Sequence, residues 1–264
     1  MNDYRLESPP ILRDFLSYHE TIKAHSQKTV DEYFLDLRNF FRYLKQSRDP
    51  SLRDLPLSEI SIMDVDLDFV KNVTLTDIYA YMTYLSRDRV QHQNSDVSDY
   101  GLNAASRARK IATIRSFYNY LTNKAHLLRE NPVKDIDAPK LKKTLPRYLT
   151  LDESISLLES VDGPNRERDL CILTLFLNCG LRLSELCSLN YSDIKSDNTL
   201  TVTGKGNKER SIYLNEMCIN AINGYMKVRP ADGVKDKNAL FLSSRKCRIS
   251  PKSVQHIVEK YIEK

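Results

Sequence analysis

Apolar residues recur at helical spacing through the first half of the chain. Ser8, Pro9 and Pro10 read as a capped helix start with proline in the first turn, and Ile11, Leu12, Phe15, Leu16 and Ile22 follow. A second helix is expected over 27–46, where Val30, Tyr33, Phe34, Leu37, Phe40, Phe41 and Leu44 repeat in an i, i+3, i+4 pattern. The acidic stretch 49–73, interrupted by Pro50 and Pro56, predicts no regular element. A third helix starts near Thr74 and carries Ile78, Tyr81, Met82 and Leu85. A fourth covers roughly 103–126 and turns Ile111, Ile114, Phe117, Tyr118 and Leu121 inward. Four such helices make a small bundle, placed at 1–130. Residues 131–147 hold three prolines and several lysines without periodicity, and read as an interdomain linker.

The pattern changes over 148–264. Thr150 and Glu153 form a capping-box pair before a helix lined by Leu151, Ile155 and Leu158. The almost wholly apolar run to Cys179 predicts a buried helix over 168–179, closed by Gly180, with a short helix over 183–189 behind it. TLTVT (199–203) and RSIYL (210–214) alternate as strands do, and GKGNKE between them predicts a hairpin turn. A helix over 215–228, a short strand at ALFL and a proline-started final helix complete the half. The fold class expected is mainly α: an N-terminal helical bundle, then an α+β domain with a small antiparallel sheet.

Composition narrows the function. With 264 residues, 41% of them hydrophobic, the chain can build one large core or two medium ones. No run of 18 apolar residues is present, so no membrane-spanning helix is expected, and the first residues lack the pattern of a signal peptide. The five cysteines form no CxxC pair and suggest reduced thiols in the cytoplasm. The net charge of +5 says little, but its distribution is uneven. Residues 49–100 contain four basic and ten acidic side chains; residues 101–147 contain eleven basic and three acidic. A basic block of this kind fits a polyanion footprint, and equally a solvated linker.

Three features carry candidate chemistry. Arg182 follows the apolar run and the glycine break; it either pairs with Glu185, three residues on, or presents its planar fork to an anion. The hairpin tip carries Lys205 and Lys208, with Arg210 on the return strand. It is a candidate site, or an edge whose lysines discourage aggregation. No GxxxxGK[ST] string occurs, which excludes a Walker A loop. Arg107, Arg109 and Lys110 lie near the start of the fourth helix, where the macrodipole disfavours cations unless an anion is close. Lys28 and Thr29 repeat the theme more weakly at the second helix.

GLRLSELCSLNYSDI followed by TGKGNKERSIYL resembles the catalytic domain of the tyrosine recombinase (integrase) family, nearest to its Xer-like subgroup. SQKTVDEYFLDLRNFFRYL, ASRARKIATIRSFYNYL and NPVKDIDAPKLKKTLPRYLT resemble that group's helical core-binding domain and linker, so the likeness runs from about Ile11 to Tyr261. The resemblance implies a site-specific DNA recombinase that cuts and rejoins duplex DNA through a 3′-phosphotyrosine, without metal or other cofactor. It implies that Arg182 is a catalytic arginine stabilising charge on the phosphoryl oxygens, and that Lys205 is the lysine that protonates the departing 5′ oxygen. Contacts to DNA are expected from Lys28, Thr29, Arg107, Arg109, Lys110, Arg115, Lys142, Lys143, Lys208 and Arg210. The implied partners are duplex DNA and a homo-tetramer or related recombinase subunits on it. Behind the hairpin the family's His-x-x-Arg motif and its late nucleophilic tyrosine are not found among these residues: the string from His126 to Arg129 lies in the helical half, and Tyr261 stands in HIVEKYIEK, a different setting. The expectation is therefore a catalytic domain that stops partway and a chain that cannot cut DNA by itself. The other reading of the same fold is a sequence-specific DNA-binding or architectural protein without catalysis.

Overall fold

The computed structural model describes residues 4–89, 100–137, 139, 140, 145, 148–204, 206 and 208–263. The chain forms two compact units, which divide between residues 144 and 145.

The first unit is helical. A short α1 (Tyr4–Glu7) precedes α2 (Pro10–Ser17), where Pro10 occupies a first-turn position at which its missing N–H costs nothing. The coil then widens over Tyr18–Ile22, with the Lys23 amide bonded five residues back to the Tyr18 carbonyl. Next come α3 (Gln27–Arg48), α4 (Leu67–Lys71), α5 (Leu75–Arg87) and α6 (Ala104–Asn123). Each of these four starts on a side chain that accepts an early amide: Ser26, Asp66, Thr74 and Asn103. Thr74 and Asp77 close a full capping box.

The apolar stripes read from the sequence meet in one core. Phe15, Phe40, Phe41, Tyr81, Phe117 and Tyr118 are fully buried there. The acidic stretch 49–73 is more regular than expected. It contains α4, and its Ile62, Val65, Val70 and Val73 close the bundle. The Tyr118 hydroxyl donates to the Val70 carbonyl at 2.9 Å and so ties α4 to α6. Part of the expected linker also belongs to this unit, because Val133 and Ile136 are buried in the same core.

The second unit is built on α8 (Arg166–Cys179), whose Cys171, Ile172, Leu173 and Leu175 are buried. Before it lies α7 (Leu151–Glu159), opened by the Thr150–Glu153 capping box. After it come α9 (Leu183–Ser188), strands β1 (Thr199–Thr203) and β2 (Glu209–Tyr213), then α10 (Glu216–Val228) and α11 (Pro251–Ile262). The strands pair antiparallel from Thr199 opposite Tyr213 to Thr203 opposite Glu209, and are the only named strands among the described residues. The expected strand at ALFL is corrected. These residues are buried but make only isolated bridges, Asn190 with Ala239 and Leu242 with Arg248. Among the described residues no helix is long and apolar enough to cross a membrane.

Candidate functional site

Gly180 ends α8 in the left-handed region, at φ 58°, and its amide bonds back to the Phe176 carbonyl at 3.3 Å. Nothing crowds the place where a Cβ would stand, so backbone conformation is what calls for glycine here. The turn delivers Arg182 to the N-cap position of α9.

There the side chain meets Glu185. The Arg182 amide donates to Glu185 Oε2 at 2.8 Å, and Arg182 Nη1 donates to Oε1 at 2.7 Å. From β2, Arg210 adds a second fork: Nη1 to Oε1 at 2.8 Å and Nη2 to Oε2 at 2.9 Å. Glu185 is 2% exposed and accepts all four bonds. Chiefly through the Arg210 hydrogen bonds, and then through the Arg182 amide and guanidinium, its carboxyl is held down at about 2, against the opposing effect of burial. It remains an anion at any working pH and grips both arginines. The Arg182 side chain is nevertheless 68% exposed, and that of Arg210 40%. The two readings of Arg182 are thus not exclusive, since one edge is anchored and the other faces solvent.

The hairpin approaches the same carboxylate. A Cβ on Gly204 would stand 3.2 Å from Glu185 Oε1 and 3.7 Å from Arg210 Nη1, so glycine lets the strand end pass close to the charge cluster. Lys208 returns the hairpin by accepting the Gly204 amide on its carbonyl at 2.8 Å, and its side chain is exposed. Lys205 lies outside the described residues, as do Lys142 and Lys143.

Sequence reasoning missed the residue that fixes the far end of α9. Arg248 Nη1 donates to the carbonyls of Cys187, Ser188 and Leu189 at 3.2, 2.7 and 3.0 Å. Its Nη2 reaches Asn190 Oδ1 at 2.6 Å and its Nε reaches Asp236 Oδ2 at 2.8 Å. A guanidinium supplies enough donors to hold a helix C-terminus whose carbonyls lack partners. No local signal marked it, because its partners on α9 lie about sixty residues away in sequence.

In the first unit the cations at the start of α6 find their anion inside the protein. Lys110 is 4% exposed and donates to Asp36 Oδ1 at 2.6 Å; burial lowers its basicity and the Asp36 carboxylate opposes that. Arg109 makes two bonds to Asp36, at 2.7 and 3.0 Å, and approaches Glu32 at 2.9 Å. Thr113 Oγ1 adds a bond to Asp36 at 3.0 Å. The expectation for Lys110 is therefore corrected: it is a core cation of the α3–α6 contact with almost no exposed surface to give a phosphate. Arg109 is half exposed but already committed to two carboxylates, and Arg107 donates to Ser86 Oγ. Lys28 and Arg115 are exposed, and the Thr29 hydroxyl shares a hydrogen bond of 3.0 Å with Ser26. Of the expected residues, Arg182 and Arg210 are brought together by Glu185, whereas Lys28, Arg107, Arg109, Lys110 and Arg115 belong to the other unit.

Comparison with known proteins gives these features a context. A family model described as the phage integrase family matches residues 147–264. The tyrosine recombinase XerC of Caldanaerobacter subterraneus subsp. tengcongensis is 52% identical over 258 residues, which make up 98% of this chain and 70% of that protein. A crystal structure of a lambda integrase(75-356) dimer bound to a COC′ core site matches with a TM-score of 0.59 at 18% identity, over 96% of this chain and 80% of the other. A lambda integrase tetramer bound to a Holliday junction matches with a TM-score of 0.56 at 18% identity, over 95% of this chain and 65% of the other. At that identity the two structures speak for the fold alone.

Proposed function

The chain belongs to the tyrosine recombinase (phage integrase) family, and from that premise we propose that it recognises a duplex DNA site and that Arg182 binds the phosphodiester at which strands are exchanged. One observation carries the reading: a guanidinium anchored along one edge by a buried, permanently ionised carboxylate and open to solvent along the other. A fixed cation of this kind favours the charge that grows on phosphoryl oxygens in the transition state more than the single charge of the resting diester. Because Glu185 sets its direction beforehand, no reorganisation is needed during reaction. Lys205, next to the close-approaching Gly204, is assigned as the general acid that protonates the leaving 5′ oxygen.

Lys28, Thr29, Arg115, Lys142 and Lys143 in the first unit, and Lys208 and Arg210 in the second, are assigned to phosphate contacts that fix register without reading sequence. Lambda integrase has been captured as a dimer on a core site and as a tetramer on a Holliday junction. We assign the same mode of assembly to this chain, acting on DNA in the cytoplasm. None of its fifteen tyrosines stands in the family's nucleophile setting, so these 264 residues are assigned binding and alignment of DNA without cleavage.

The test has two steps. A random duplex library is first retained on the 264-residue chain at low salt, and the enriched site is then offered as a nicked suicide duplex. The expected result is retention of a specific site, weakened by Arg182→Ala, with no protein–DNA adduct that survives denaturation. Absence of any duplex retention would overturn the DNA reading. A covalent adduct mapped to a tyrosine of this chain would overturn the assignment of binding alone.

A further inference from the structure

Two cysteines meet in the second unit where α8 ends and α10 begins. Cys179 is the last residue of α8, Cys218 lies in the first turn of α10, and their Sγ atoms stand 3.8 Å apart as free thiols. Hydrogen bonds hold the two helix ends in place. Asn215 Nδ2 donates to Asn178 Oδ1 at 2.8 Å, and Asn215 Oδ1 accepts the Cys218 amide at 3.0 Å. One amide side chain thus grips the residue before Cys179 and the backbone of Cys218. A disulfide sets its sulfurs about 2.0 Å apart, so the gap closes by a movement shared between two short side chains and the helix ends that carry them.

The two sulfurs are not equivalent. Cys218 is fully buried, whereas Cys179 is partly exposed. Cys218 stands where a helix N-terminus favours a thiolate, and Cys179 where a helix C-terminus disfavours one. The Cys218 thiol is more acidic than usual, first through its hydrogen bond with Cys179, with burial acting the other way. The Cys179 thiol is less acidic, first through the same bond and then through burial. Once the pair has lost one proton, the other lies between two sulfurs in contact. Its transfer to Cys218 leaves the charge on the partly exposed cysteine.

We propose that Cys179 and Cys218 are an oxidation site, which a peroxide converts to a reversible disulfide that pins α8 to α10 and displaces the Arg182 turn. The Cys179 thiolate attacks one peroxide oxygen, the O–O bond breaks, and hydroxide leaves a sulfenic acid on Cys179. Cys218 Sγ then attacks that sulfur, the S–O bond breaks, and the hydroxyl departs with the Cys218 proton as water. Two thiols and one peroxide become one disulfide and two waters. Gly180 follows Cys179 directly, and Arg182 stands two residues beyond it at the N-cap of α9. Drawing Cys179 toward α10 pulls on that turn, while Glu185 stays clamped by Arg210 from β2. The consequence for DNA rests on the assignment of Arg182 to a phosphodiester; the cross-link does not.

The experiment treats the whole chain with hydrogen peroxide. The expected result is an intact mass lower by two hydrogens, two of the five thiols lost to titration, a peptide map joining Cys179 to Cys218, and reversal by dithiothreitol. The oxidised chain is expected to hold the enriched duplex about tenfold less tightly, the cost of losing a hydrogen bond to a charged group. Cys179→Ser is expected to retain duplex as the reduced wild type does and to lose the response to peroxide. Absence of a Cys179–Cys218 link overturns the inference. So does a link between chains through Cys247, the other partly exposed cysteine, or a Cys179 that proceeds to the sulfinic acid without a link. A link that leaves duplex retention unchanged overturns the effect on the Arg182 turn. If even the reduced chain retains no duplex, the DNA reading fails by itself and amide exchange over residues 180–185 judges the coupling. Altered rates in the disulfide form then uphold it, and unchanged rates overturn it.

Discussion

Glu185 shows how one residue's environment organises the candidate site. Its four hydrogen bonds come from two arginines that each keep part of the side chain in water. Glu185→Gln keeps the shape and removes the charge. The expected cost is about 2 kcal/mol near neutral pH, as for hydrogen bonds to a charged group, read by urea unfolding. The pH dependence follows from the depressed folded-state value. The wild-type contribution is complete above the unfolded carboxyl value of about 4.3 and disappears as pH falls through about 2. The two proteins should therefore differ at pH 7 and converge in acid, and a gap that stays constant across that window would dismiss the assignment. Neither the strength of the carboxylate nor its second arginine was legible in the sequence. Arg182 and Glu185 are three apart and could be paired on spacing, but Arg210 lies twenty-five residues away on a strand. Only the fold brings it back.

Helices were legible where a long stripe or a capping side chain announced them, as in α3, α5 and α6, and illegible where the element was short. The five residues of α4 give too few positions for a period to show, and ALFL looks like a strand because buried apolar residues read alike in strand and loop. Contacts between elements were also hidden. Asp36 meets Arg109 across 73 positions of sequence, so the internal lock at the start of α6 could not be read from its basic residues alone. Asp36→Leu should cost about 3–5 kcal/mol, because it leaves Lys110 buried without its anion. The double change Asp36→Leu with Lys110→Met should recover most of that loss, and a cycle of urea midpoints would show the coupling. Purely additive effects would mean that the two groups do not act as a pair. A second lock sits at the end of α9, where Arg248→Ala should reduce amide-exchange protection of α9 more than that of α8. Arg248→Lys should restore little, since one ammonium cannot span three carbonyls, an amide oxygen and a carboxylate.

At the scale of the whole chain, the two motifs and the helical stretches before them were enough to identify the family, because each combines residue type with order along the sequence. Which cations face outward was not available from sequence, because a lysine stripe and a buried lysine are spelled alike. That distinction can be measured. Each phosphate neutralised by a side chain releases counterions, so the slope of log K against log salt falls by about 0.9 for every contact removed. Lys28→Ala and Arg115→Ala change exposed cations and should each flatten the slope by about that amount while leaving stability within about 0.5 kcal/mol. Lys110→Met changes a buried cation. It should alter stability and leave the slope of the folded protein untouched. If Lys110→Met flattened the slope as much as Arg115→Ala did, the start of α6 would be touching DNA after all, and the Asp36 lock would have to open when DNA binds.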